Sequence, residues 1–523
     1  MAAGSSGGSG AFPGRFRKNI LRTVRKHSNG MAGSTAPAKV ADSPAGKWKG
    51  RKFLRPVPVL IVIFVLSLPI VNPWVRGDGV GYYAYGRALL IEGNLDFQHD
   101  WQHANDTFRL DRVSADGKVN PNEYTKTGHL RNLWTVGPSI LWAPFLVAAH
   151  LGVLLCDSLG AHIPANGFSG PYLIAVTIAT AFYGFLGLLI SFQLARMFFD
   201  EVWAFLATIG IWWASSLPVY MYFNPSWSHA HSAFVNSLFV WYWYRTRGHR
   251  TPVQWILLGL LSGLIMDVYY PNGVFLLLPL VEAIATYWHD YRLGDRWTEM
   301  LHLFANHCLY LAMYIVGLLP TLVTRRIIFG SMFKTGYPSM LNWNWASPVF
   351  GKVLFSSDHG FLSWTPILCL AVAGLFLFPR KDKLFRNGLI AVLAALWIII
   401  SAYPDWDGLS SFGNRFFVSL TPLFVLGLAS FFDWLSKAWS FKNALAFASS
   451  ATAVLILWNL AFIFQWGMHL ISPRGYISWS QMIDNQFVAV PRVVSSDLRR
   501  YLLHRKGLMR DIENEDIQNL QGR

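Results

Sequence analysis

The chain has 523 residues, of which 53% are hydrophobic and 14% charged, against roughly 25% charged in an average soluble domain; an ordinary soluble globular fold is excluded. The formal charge of +16 is gathered ahead of the first apolar run, which argues against nucleic acid as a partner and for a basic cytoplasmic flank. Three cysteines, Cys156, Cys308 and Cys369, lie in or beside apolar segments without close spacing, so they give neither a disulfide framework nor a zinc motif and are expected as buried thiols.

Residues 1–52 are rich in Gly, Ser, Ala and Lys without apolar periodicity, which predicts a disordered, basic N-terminus held in the cytoplasm. From 53 to 466, uncharged windows of spanning length follow one another. A bilayer core needs about 20 apolar residues per helix, because every backbone N–H and C=O must be paired inside the segment. The windows therefore predict an all-α, polytopic integral membrane protein of about 11–13 transmembrane helices.

Orientation follows from the short loops. Arg245, Arg247 and Arg250, then Arg292 and Arg296, then Arg380, Lys381, Lys383 and Arg386, and finally Lys437 and Lys442 mark four cytoplasmic connections. They place residues 224–231, 267–272, 325–362 and 403–415 on the outer side. Two full crossings between Trp134 and Met197 would invert that order, so one window there is expected to be re-entrant or interfacial.

Residues 73–133 form a long polar first outer loop. After Gly77-Asp78-Gly79, the residues Tyr82, Tyr85 and Leu89 fall at helical spacing and Gly93 follows as a stop. This predicts a short helix on the membrane surface with its tyrosines at headgroup level. Residues 467–523 read as a polar, peripheral C-terminal tail.

The segment Gly77-Asp-Gly-Val-Gly-Tyr-Tyr-Ala-Tyr-Gly-Arg-Ala-Leu-Leu90, running into Gly93-Asn-Leu-Asp-Phe97, resembles the start of the first outer loop in bacterial members of the GT-C glycosyltransferase superfamily. Val136 to Phe145, Leu354 to Pro366 and Asp405 to Phe416 are similar in kind, so the resemblance spreads over residues 55–465. It implies a catalytic carboxylate in the first outer loop, a polyprenyl-(pyro)phosphate-linked sugar as donor, and a glycan, lipid or protein acceptor at the outer face of a bacterial inner membrane. Many members carry an acidic pair there; this chain has Gly79 after Asp78, which leaves a single acid.

The chemistry fits that count. An acceptor hydroxyl needs a carboxylate within about 3 Å to take its proton, while the departing phosphate needs positive charge rather than a proton. Asp78 is the candidate base, with a helix-capping role as its alternative. Arg415 is the candidate phosphate clamp, since arginine binds phosphate bidentately; an ion pair with Asp405 or Asp407 is its alternative. Arg325, Arg326, Lys126 and His229 are further phosphate-binding candidates. Tyr82, Tyr83, Asp358, His359, Asp405, Trp406 and Asp407 are candidates for the substrate sugar, Asp358 and His359 also for a metal, with turn forming as the alternative for both Asp358-His359 and Asp405-Trp406-Asp407. No cofactor is indicated, and a divalent cation is left open. The competing class is a multi-pass transporter or flippase of lipid-linked glycans. Such folds usually show internal repeats and polar residues near the midplane, whereas here the ionisable residues gather at one interface.

Overall fold

A computed structural model describes residues 55–293, 297–379 and 382–521. The N-terminus expected to be disordered, and Arg296, Arg380 and Lys381 of the orientation pattern, lie outside the described residues. Among the described residues the regular structure is helical, with only two isolated β-bridges in the first loop, as the all-α reading requires.

The chain rises through α1 (Pro56–Ser67) to the loop that opens with α2 (Asp78–Arg87). It continues through α3 (Gly137–Ser158), α4 (Gly170–Ala195), α5 (Glu201–Ala214), α6 (His229–Thr246), α7 (Pro252–Val268) and α8 (Leu277–Leu293). The second half holds α9 (Trp297–Phe329), α10 (Ile367–Leu377), α11 (Lys383–Ala402), α12 (Thr421–Ala438) and α13 (Phe441–Gly467). Six of the described helices are long and apolar enough to cross a membrane: α3, α4, α9, α11, α12 with its preceding turn, and α13. α1, α5, α7 and α10 are apolar but shorter. Close helix contact relies on small residues. A Cβ on Gly263 of α7 would lie 2.4 Å from the backbone of Gly317 in α9, the kind of approach that substitutes for a hydrophobic driving force in lipid.

The two ends of the bundle can be told apart by side-chain contacts. At one end Arg250 pairs with Glu282 at 3.0 Å and Arg247 with Asp382, which joins three of the basic loops. At the other, the amide of Asn72 donates to the carbonyl of Tyr222, and Arg415 reaches Asp78. α2 is tied to both α3 and the start of α4. Ser139, near the start of α3, donates to the carbonyl of Tyr82, and the hydroxyl of Tyr83 donates to the carbonyl of Gly167 just before α4, both at 2.5 Å. Trp142 bonds Thr180 while His150 bonds Tyr172, so α3 runs antiparallel along the first half of α4.

Two expectations are corrected. Tyr82, Tyr83 and Tyr85 are buried beneath the loop rather than set at a lipid interface. Their rings pack on Trp134, Trp142 and Phe97, because the loop folds back over α2 and forms its own aromatic core. The three cysteines are free and exposed on helix surfaces, since these helices turn their small residues outward as well as inward.

Candidate active site

Asp78 opens α2. The preceding Gly77 takes φ 54°, ψ −129°, a conformation side chains resist, and Trp227 lies 3.3 Å from where its Cβ would be. Asp78 does not hold the capping position, which falls to Gly77. Instead Nη1 of Arg415 donates to Oδ2 of Asp78 at 2.8 Å. Two residues chosen from opposite ends of the sequence are thus in direct contact, and the partner of Arg415 is Asp78 rather than Asp405 or Asp407.

Arg415 is delivered by a chain of turns. Gly408 and Leu409 both have positive φ, and the carboxylate of Asp407 accepts from the amide of Leu409. Asn414 donates to the carbonyl of Trp406 at 2.9 Å. The guanidinium then lies over Trp227, 4.5 Å from the ring centroid, a cation–π contact that holds it without consuming its N–H donors. Gly79 lies tight against the neighbouring segment. A Cβ there would meet Ser226 Oγ at 2.0 Å, so this space is taken by the neighbouring segment.

Beside the pair lies a cavity of about 570 Å³. Its charged lining includes Asp78, Arg415, Arg76, Arg474, Asp497 and Asp516; Phe464 of α13 is among its apolar residues. Further lining comes from the C-terminal segment, which continues after α13 as α14 (Trp479–Asp484), α15 (Val490–Leu503) and α16 (Arg505–Gln521). The segment is therefore docked on the Asp78 side rather than peripheral. Tyr501 donates to the carbonyl of Ile70 at 2.8 Å, and Arg76 pairs with Asp516 at 2.6 Å.

A ring of tyrosines surrounds the pair. Tyr82, Tyr220, Tyr269, Tyr337 and Tyr403 all feel the charge of Asp78. Burial, then the neighbouring Asp405, pushes Tyr403 up to about 12. Burial and the charge of Asp78 likewise raise Tyr82. Tyr82 and Tyr403 therefore stay protonated at neutral pH.

The remaining candidates divide. His229 is buried within the ring, 4.7 Å from Tyr220 and 5.4 Å from Tyr269 by centroid, and its Nδ1 has no hydrogen-bond partner. His231 turns the other way, onto Trp142. Tyr82 belongs to the ring, its hydroxyl accepting from Ser228, whereas Tyr83 points to Gly167. Asp405 sits beside Tyr403, while Trp406 and Asp407 shape the turn. Asp358 and His359 lie in a neighbouring turn, His359 at φ 59° with its ring stacked on Trp364. Burial pushes His359 down to about 3, so it is neutral and offers no cation. Arg325 is away from the cavity: its guanidinium donates to the carbonyls of Asn132, Leu133 and Trp134 and to Tyr270. Arg326 bonds the carbonyl of Gly330 and Lys126 is exposed; neither lines the cavity.

Trp227, Arg76, Tyr220, Tyr269 and Arg474 were missed. Arg76 carried a signal, a cation immediately before the Gly-Asp-Gly turn on the side where positive charge is scarce. Among the described residues no group of three or more His, Cys, Asp or Glu is placed to hold a metal ion; the carboxylate of Asp78 is met by a guanidinium rather than gathered with other acids.

No family model and no curated protein matches the chain. Among solved structures, ArnT from Cupriavidus metallidurans bound to undecaprenyl phosphate is similar over 78% of this chain and 70% of its own, at 12% identity and a TM-score of 0.46. The oligosaccharyltransferase of Archaeoglobus fulgidus, in complex with Zn and sulfate, is similar over 79% of this chain and 55% of its own, at 16% identity and a TM-score of 0.43.

Proposed function

We propose that the chain is a glycosyltransferase that moves a sugar from a polyprenyl-(pyro)phosphate donor to an acceptor on the Asp78 side of the membrane, with inversion at the anomeric carbon. The observation that carries this reading is the Asp78–Arg415 contact on the wall of a cavity that is otherwise lined largely by apolar residues. A lipid phosphate needs both: cations for the phosphate and an apolar surface for the tail.

In this reading the donor phosphate draws Arg415 away from Asp78, which frees the carboxylate for the acceptor. The acceptor oxygen forms its bond to the anomeric carbon and its proton passes to Asp78. The bond from that carbon to the phosphate oxygen breaks, and the phosphate leaves with the electron pair, stabilised by Arg415. Tyrosine hydroxyls of the surrounding ring supply neutral donors to sugar or phosphate.

The test is a membrane assay with a labelled polyprenyl-phosphate sugar. Loss of transfer in Asp78→Asn supports the enzyme. Transfer unchanged by that substitution overturns it, and movement of the lipid-linked sugar without bond cleavage favours the flippase.

A further inference from the structure

Glu513 on α16 is a buried carboxylate, 6% exposed, far along the chain from the candidate site. Burying such a group is costly unless it is hydrogen-bonded. Its Oε1 accepts from the side-chain amide of Asn105 and from the backbone amide of Thr107, both at 2.7 Å. Asn105 is thereby oriented, and its Oδ1 accepts the backbone amide of Gly77 at 3.2 Å. Gly77 is the left-handed residue immediately before Asp78.

A second tether acts on the other flank of that turn. Arg76 pairs with Asp516, one helical turn beyond Glu513, and its carbonyl accepts from the indole of Trp227 at 3.0 Å. The same carbonyl accepts from the amide of Gly79. α16 is itself fixed at its far side, where His469 lies between Glu515 at 2.8 Å and Asp516 at 3.3 Å. The backbone on which Asp78 stands is therefore gripped through residues 76 and 77 by acids of the C-terminal helix.

We propose that α16 is a positioning element for Asp78, with Glu513 acting through Asn105 on the Gly77 amide. The proposal rests on Asp78 being the catalytic carboxylate. Glu513 touches no substrate; it sets the aim of a residue that does, and small misplacements of a reacting group are known to cost large factors in rate.

The experiment uses the full chain in proteoliposomes with a labelled polyprenyl-phosphate sugar, together with hydrogen exchange of the amides from Gly77 to Val80. Glu513→Ala and Asn105→Ala should each lower kcat about tenfold, with the donor KM moved by less than about twofold, because aim is lost and donor affinity is not. The double variant should be no worse than either single one, since both break one chain of contacts. Glu513→Gln keeps the acceptor oxygen and should recover most of the rate. Exchange at Gly77 should rise in Glu513→Ala while the melting temperature of the bundle holds. A Glu513→Ala enzyme with the parental kcat, or single effects that multiply in the double variant, overturns the proposal. If the parent chain transfers no sugar, the catalytic reading fails by itself; the exchange arm then decides, and unchanged protection at Gly77 in Glu513→Ala overturns the coupling.

Discussion

Arg415 donates to Asp78 across 337 residues of chain, so the loop after α11 and the loop after α1 meet in one charged pair. Asparagine at 78 keeps an acceptor for Arg415 but can take no proton. Asp78→Asn should therefore keep the fold while transfer falls about 100-fold or more, the usual weight of a general base. Initial rates with the labelled donor, beside a thermal melt, measure both; a full rate in the folded variant removes the assignment.

Arginine and lysine separate charge from geometry at 415. Arg415→Lys keeps the charge but loses the planar fork and its stacking on Trp227, so donor KM should rise about tenfold with a smaller change in kcat. Arg415→Ala leaves the Asp78 carboxylate without its partner and should lower stability by about 2 kcal/mol. Combined with Asp78→Asn, the losses should not add, as expected for residues in contact.

Asp78 and Arg415 were legible from their local sequence: an acid between glycines just past an apolar run, and an arginine that follows a Gly-bearing loop and starts a helix. The start of α2 was legible from the same turn, and Gly93, at φ 68°, ends the π-helical turn Ala88–Glu92 that continues it. The tyrosine ring was not. Tyrosine next to a membrane segment reads as an interfacial anchor, and only the tertiary fold turns Tyr269, Tyr337 and Tyr403 towards one carboxylate. The C-terminal segment was misread because its polarity hides its role; Glu513 and Asp516 are buried by partners more than 400 residues earlier in the chain.

Gly81 tests the docking of α2. A Cβ there would fall 1.9 Å from the ring of Trp134, a ring buried in the loop core that has no free direction in which to yield. Gly81→Ala should cost about 1–3 kcal/mol, the range for overpacking, and displace Asp78 together with its helix. The expected readout is a lowered melting temperature with a lowered kcat; an unchanged melt contradicts the packing.

Arg325 separates scaffold from site. Three backbone carbonyls from 132 to 134 converge on its guanidinium, and no side chain but arginine supplies that many donors in one plane. Arg325→Gln leaves buried carbonyls without donors, at about 1–3 kcal/mol each. Yield and melting temperature should fall steeply, while donor KM in the surviving folded fraction stays at the parental value. A selective rise in KM without loss of stability would instead return Arg325 to the donor phosphate.

The outer loop also carries a pH dependence. Partial burial works against ionisation of Glu92, but its hydrogen bonds from Arg87 and His99 outweigh that and hold its carboxyl below the usual range. Stability from a depressed carboxyl is present above the unfolded value and lost as pH falls through the folded one. Arg87 is shared with Asp100, to which it donates twice at 2.6 Å, so weakening one acid loosens the anchor of the whole loop. Burial raises Asp100 to about 6, so it changes charge between pH 7 and pH 5, whereas the contribution of Glu92 to amide protection across 88–110, corrected for intrinsic exchange and read as the difference between the parent and Glu92→Gln, should decline only below about pH 4. Glu92→Gln should start from weaker protection at pH 7 and show a smaller decline. Equal protection of the parent at pH 7 and pH 3 would mean that this carboxylate contributes nothing to the order of the loop.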